Sequence, residues 1–160
     1  GPAWYQKEIE IPLIWKDKRL FLELERVMWE SKVFVDGNEI STQDALNSAH
    51  LHDLGFLTQG KHQLTIRINN DMIYNIGDKA SAYTEHTQSI WNGAVGRIQL
   101  IAKDKLRFTN PQVFTSINPC VLVIKDTLMN EFSGKKNISI IYELSDRTSG
   151  EVVYKQFVLK

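Results

Sequence analysis

Residues 18–40 read "KRLFLELERVMWESKVFVDGNEI", and the period of this stretch decides the fold class. Leu20, Leu22 and Leu24 fall on one face of an extended chain, with Arg19, Glu23 and Glu25 on the other. A helix would mix these two sets, because its side chains return every 3.6 residues and a strand's every two. Val33 and Val35 repeat the alternation against Lys32, Phe34 and Asp36. Asp36-Gly37 then separates "VFV" from "EI", a strong signal for a two-residue hairpin connection.

The same period runs outward in both directions. Leu64, Ile66 and Ile68 oppose Gln63, Thr65 and Arg67, after a turn at Gln59-Gly60. Ile138, Ile140, Tyr142 and Leu144 form a further stripe, and Ser149-Gly150 separates it from an apolar run over 152–159. Short, half-buried antiparallel strands at this spacing predict an all-β sandwich. Only "TQDALNSAHLHDLGFL" (42–57) offers a helix, and Gly55 limits it to about a turn. Charged residues gather at Lys103-Asp104-Lys105, with Asn110-Pro111 following, so the chain divides into 1–104 and 105–160. The second piece holds about four strands, where a free-standing immunoglobulin-like sandwich needs about seven. It reads as the opening part of such a domain.

The 160 residues are 42% hydrophobic and 24% charged, enough apolar material for a core. Nineteen basic and nineteen acidic residues cancel to a net charge of zero. That excludes a nucleic-acid binder working through a broad basic field, and no like-charge run suggests a membrane-surface patch. Apolar stretches are strand-sized, too short for a membrane-spanning helix. The single cysteine, Cys120, excludes an internal disulfide framework and a CxxC zinc knuckle. The chain opens on Gly1-Pro2-Ala3-Trp4, without a signal peptide or initiator methionine, a start expected of a piece of a longer protein.

Chemistry-bearing patterns are sparse. "HLH" places His50 and His52 two residues apart, on one face of a strand, the spacing with which a zinc site can start. No third ligand follows at usable spacing, and the plainer reading is polar residues near a turn, so no metal is assigned. No GxSxG elbow, catalytic-cysteine signature or phosphate-binding glycine loop occurs, and Cys120 follows Pro119 in an apolar pattern. Asn137-Ile138-Ser139 fits the glycosylation pattern but lies inside an expected strand.

The long segment 69–92 stands apart. It lacks sustained alternation, and loops of that length are usually functional or disordered. Tyr74, Tyr83 and Trp91 lie there among amides and acids, a mixture that suits carbohydrate. Aromatic faces cover the C–H patches of a sugar while Asp, Asn and Gln meet its hydroxyls. Asp and amide oxygens in the same segment also suit Ca²⁺, although no cofactor is assigned. The competing reading buries Trp91 in the sandwich and spends the polar groups on loop backbone. Asp71, Asp78 and Glu85 could bring two carboxyls together as glycoside hydrolysis requires, about 5–5.5 or 6.5–9.5 Å apart. A sandwich this small rarely supplies the deep pocket such an acid needs, so no catalytic residue is assigned. In "GAVGRIQL" (93–100) Val95, Ile98 and Leu100 are expected to face the core.

Five blocks occur in a telling order: "WYQKEIEIP" (4–12), "KRLFLELERV" (18–27), "VFVDGNEI" (33–40), "HDLGFLTQGKHQLTIRINN" (52–70) and "WNGAVGRIQL" (91–100). Together they resemble the N-terminal sugar-binding domain of family 2 glycoside hydrolases, which include β-galactosidases, β-glucuronidases and β-mannosidases. The resemblance implies a jelly-roll sandwich of the galactose-binding type over 1–104, its first strands lying before the chain begins. It implies a partial immunoglobulin-like domain over 105–160 and, beyond Lys160, a (β/α)₈ barrel carrying both catalytic glutamates. Members commonly read G-[IV]-[FYW]-R after the tryptophan; here Gly93-Ala94-Val95-Gly96 sets glycine in the fourth place and moves the arginine to Arg97.

The function implied is a non-catalytic, sugar-binding region of an exo-acting, β-galactosidase-like enzyme. Such a region positions the barrel and lends a loop to the pocket rim. Asp78, Glu85, His86, Trp91 and Asn92 are the candidate carbohydrate contacts, through hydrogen bonds and stacking. Carbohydrate and the parent's own barrel are the implied partners, with neither nucleic acid nor membrane among them. Analogy places such an enzyme in the periplasm or outside the cell. An autonomous carbohydrate-binding module, or a purely structural interaction domain, are the alternatives.

Overall fold

In the computed structural model the residues described are 1–77 and 92–159. They form two compact units, Gly1–Met129 and Asn130–Lys160. The fold is all-β. In the first unit the strands are β1 (Ala3–Ile11), β2 (Arg19–Met28), β3 (Glu30–Val35), β4 (Asn38–Gln43), β5 (His50–Gly55), β6 (Gly60–Asn69), β7 (Gly93–Lys103), β8 (Leu106–Ser116) and β9 (Val121–Asn130). β9 runs one residue past the unit's end.

Two antiparallel sheets, ordered β1-β6-β3-β4 and β5-β2-β7, face each other as a sandwich. Apart from the β3–β4 hairpin, neighbouring strands in these two sheets are not consecutive in sequence, so the connections cross between sheets as a jelly roll requires. The apolar stripes read from the sequence fill the space between: Leu20, Leu22 and Leu24 from one sheet meet Val33, Val35, Leu64, Ile66 and Ile68 from the other. Burying each such side chain contributes roughly 1.5–3 kcal/mol, which is why strand register is strict here.

Val35 pairs with Asn38, leaving Asp36 and Gly37 as the two-residue loop, with φ of 50° and 80°. Positive φ at both positions defines the type I′ turn, whose twist matches that of the strands. The helical turn expected within 42–57 does not form. Its place is taken by the end of β4, the connection 44–49 and β5, which pairs with β2. His50, His52 and Leu54 all point inward along β5, so the helix former Ala45-Leu46 lost to a period-two pattern further on. Among the described residues, the helical turn that does occur is a 3₁₀ turn at Leu13–Trp15, just after Pro12.

β7 also departs from expectation. Leu24 pairs with Ile98 and Arg26 with Val95, so Gly96 and Arg97 together oppose Glu25 as a β-bulge. The extra residue breaks the alternation. Leu100 packs against the core, but Val95 and Ile98, expected inside, are 40% and 55% exposed.

β8 and β9 make a separate two-stranded sheet, and exposed Cys120 sits in the turn joining them. In the second unit β10 (Ser139–Ser145) and β11 (Val152–Leu159) form a hairpin with the register Ile140–Val158 to Ser145–Val152. Its turn is organised by Asp146, whose carboxylate accepts from the backbone N–H groups of Thr148 and Ser149, both at 2.8 Å. Among the described residues, no helix is long and apolar enough to cross a membrane, which says nothing of a β-barrel.

Candidate functional site

The polar groups of the sandwich converge on the connection between β4 and β5. Trp29, 1% exposed, donates its indole N–H to the carbonyl of Asp44 at 2.8 Å. His50 reaches the next carbonyl, Ala45, through Nε2 at 2.8 Å. Two aromatic N–H groups thus hold adjacent carbonyls of a connection that has no sheet partner of its own. Buried backbone polar groups need such partners, and the indole and imidazole supply them from within the core.

Behind Ala45 the hydrogen bonds continue inward as a chain. Ser31 Oγ lies 2.6 Å from His50 Nδ1 and 2.8 Å from His52 Nε2, and Ser41 Oγ lies 2.7 Å from His52 Nδ1. Ser31, His50 and His52 are fully buried. A carbonyl can only accept, so His50 Nε2 carries its proton and Nδ1 accepts from the Ser31 hydroxyl. Ser31 then accepts from His52 Nε2–H, and His52 Nδ1 accepts from Ser41. One carbonyl therefore sets the direction of every proton in the chain, with both rings neutral. Burial pushes both imidazoles down, that of His52 to about 4, with neighbouring His50 adding to the effect.

The "HLH" pair therefore faces one way, as its spacing requires, but it binds serines. The two ring centroids are 6.2 Å apart. Among the described residues, no group of three or more His, Cys, Asp or Glu is placed to hold a metal ion. The segment on which the Ca²⁺ reading rested falls largely outside the described residues.

Above this chain lies an exposed rim. The Asp44 carboxylate accepts from the Tyr74 hydroxyl at 2.8 Å, and the Tyr74 ring leans on Trp29 at 5.9 Å between centroids. That hydrogen bond, with the Asp44 charge, raises the Tyr74 pKa, so its hydroxyl stays a neutral donor. Asn70 Nδ2 donates to Asn92 Oδ1 at 2.7 Å, clasping the two ends of the long segment. Asn69 anchors it too, its carbonyl accepting from Trp29 N–H at 2.9 Å. Of the candidate contacts, Asn92 is exposed and belongs to this clasp, while Asp78, Glu85, His86 and Trp91 lie outside the described residues.

Asp44 and Trp29 escaped the sequence reading. They sit in a presumed helix and a strand run respectively, and their meeting with Tyr74 spans 30 residues or more. Tyr74 and the amides bracketing the segment were legible. The rim presents a 56%-exposed aromatic ring, a carboxylate and two amides, the donor, acceptor and stacking set that a sugar takes.

Solved structures share this fold. A glycosyl hydrolase family 2 member from Bacteroides cellulosilyticus superposes with a TM-score of 0.73 at 16% identity, covering 100% of this chain and 21% of its own. A β-glucuronidase from Ruminococcus gnavus gives 0.70 at 17% identity, covering 99% of this chain and 28% of its own. A β-D-glucuronidase from Dictyoglomus thermophilum gives 0.67 at 16%, covering 98% and 29%. No family model matches the chain, and no curated protein matches it. At these identities the likeness establishes the fold. It bears out, at that level and over the whole chain, the resemblance drawn from the five sequence blocks. The chain spans about a fifth to under a third of those enzymes.

Proposed function

We propose that this chain is the non-catalytic, sugar-binding N-terminal region of a family 2 glycoside hydrolase. It positions the catalytic barrel and lends the rim around Tyr74, Asn70 and Asn92, with the segment 78–91, to the substrate pocket. The observation that carries this reading is the match in fold over essentially the whole chain to glycosidases several times longer. The division at 104/105 belongs to the same proposal, with 105–160 opening an immunoglobulin-like domain. So does a periplasmic or extracellular parent. The galactosidase-like substrate of the sequence reading is widened here to any β-glycoside, because two of the three structures named above are described as β-glucuronidases.

The test uses the complete parent protein with aryl β-glucuronides, β-galactosides and β-mannosides. One of the three should be hydrolysed, and Trp91→Ala should raise KM about tenfold with kcat little changed. Such a split marks loss of a contact made equally in ground and transition states, worth about 1.4 kcal/mol for a stacked ring. An unchanged KM removes Trp91 from the pocket. Absence of hydrolysis of all three removes the glycosidase reading.

A further inference from the structure

We propose that His62 is a protonation latch: protonated on both ring nitrogens, it ties the loop 56–59 to the β3–β4 turn, and it releases that loop on losing a proton. His62 Nδ1 lies 2.6 Å from Asp36 Oδ2, and Nε2 lies 2.9 Å from the Thr58 carbonyl. An ionised carboxylate and a carbonyl both only accept, so both nitrogens must donate, which only the imidazolium can do. The Thr58 hydroxyl is the more distant neighbour of Nε2, at 3.3 Å. A neutral ring would turn a lone pair toward one of the two acceptors.

The turn is built to receive the ring. Asp36, held at positive φ by the I′ geometry, takes the Gln63 N–H on its other oxygen at 2.7 Å. Its carboxylate is therefore fixed in place by β6 itself. Among the described residues, the charge that acts on the ring is that of Asp36. β1 sets Ile9 opposite His62, and Lys61, on the other face, is paired with Glu8 at 2.7 Å. The shifts agree with the geometry: the hydrogen bond from His62 lowers Asp36, and that to Asp36 raises His62. Because the folded value is raised, the stabilisation is complete below the unfolded value of about 6.5. It is lost as pH rises through the folded value.

The loop so tied forms one wall of an open cleft of about 340 Å³, facing Leu13, Lys16 and Asp17. The latch therefore sets the shape of that cleft near neutral pH.

The experiment follows the His62 ring by NMR across pH 5–9, in the protein and in Asp36→Asn, with amide exchange of residues 57–63 over the same range. His62 should titrate above about 6.5, and Asp36→Asn should lower its midpoint. Protection, corrected for base-catalysed exchange, should fall about tenfold as His62 deprotonates, the effect of losing one hydrogen bond to a charged group. A midpoint at or below the ordinary value in the native protein, or protection that stays constant through the titration, overturns the proposal. Both readings come from the native chain, so they stand even if a variant misfolds.

Discussion

Taking the protein from pH 7 to pH 4 should lower its unfolding free energy by about 3 kcal/mol through His52 alone. The sign follows from proton counts. In the unfolded chain His52 binds a proton near 6.5, and in the fold only near 4. Between those values the unfolded state holds more protons, so stability rises with pH and is lost as pH falls. His50, shifted the same way by burial, adds to the loss. The physical obstacle lies at Ser31. A proton on His50 Nδ1 would leave that hydroxyl facing two donors inside the core, with its own proton needing a new acceptor.

Urea unfolding at pH 7, 6, 5 and 4 measures this directly. Carboxylates such as Asp36, Glu25 and Asp146 are held below their ordinary values, and they titrate lower still, so the decline between pH 6.5 and 5 belongs to the imidazoles. His52→Gln should flatten that part of the profile. A native profile already flat over the same interval would show that the two rings are not buried in the neutral form. His62 works in the opposite direction, losing its stabilisation above the ordinary value. The protein should therefore be most stable between the two regimes.

Gly96→Arg, which restores the residue common at this place in the family that the sequence resembles, should destabilise the protein by about 2 kcal/mol. Gly96 sits at φ 87°, a region that costs an L residue about 1–2 kcal/mol. A Cβ there would also stand 2.7 Å from the Glu25 carboxyl. That carboxylate takes Arg97 N–H at 2.9 Å and Arg97 Nε at 3.3 Å, so moving it aside breaks the bulge's own hydrogen bonds. The backbone bond from Arg97 is also the main reason the Glu25 pKa is lowered. Gly96→Ala should show most of the same loss, since strain and contact both begin at Cβ. Adding Glu25→Ala to Gly96→Ala should then cost less than Glu25→Ala in the native protein, because the contact has already gone. Equal costs in the two backgrounds would separate Gly96 from Glu25. An arginine tolerated at 96 without loss would mean that the bulge can move along the strand.

Most of the fold was legible because it rests on local order. Alternation over 19–25, 33–35, 62–68 and 138–144 places side chains by chirality and period alone, and Asp36-Gly37 needs only its own φ preference to turn the chain. What misled the reading were positions where a distant partner outweighs the local pattern. Val95 was expected toward a core, yet one extra residue opposite Glu25 sets it against exposed Arg26, on the outer face. Ala45-Leu46 favours a helical turn, yet the indole of Trp29 and the ring of His50 hold the neighbouring carbonyls in an open connection.

The site divides in the same way. Composition alone marked 69–92 as the segment with sugar-compatible chemistry, and the spacing of "HLH" placed both imidazoles on one face. Only the packed sandwich could show that Asp44, Tyr74 and Trp29 meet, or that Ser31 and Ser41 are the hydrogen-bond partners of the two imidazoles. Alternation fixes which way a side chain points, because that is a property of consecutive residues. Its partner is determined by strand order across two sheets, where residues tens of positions apart come within hydrogen-bond reach, and a single chain's period carries no record of that.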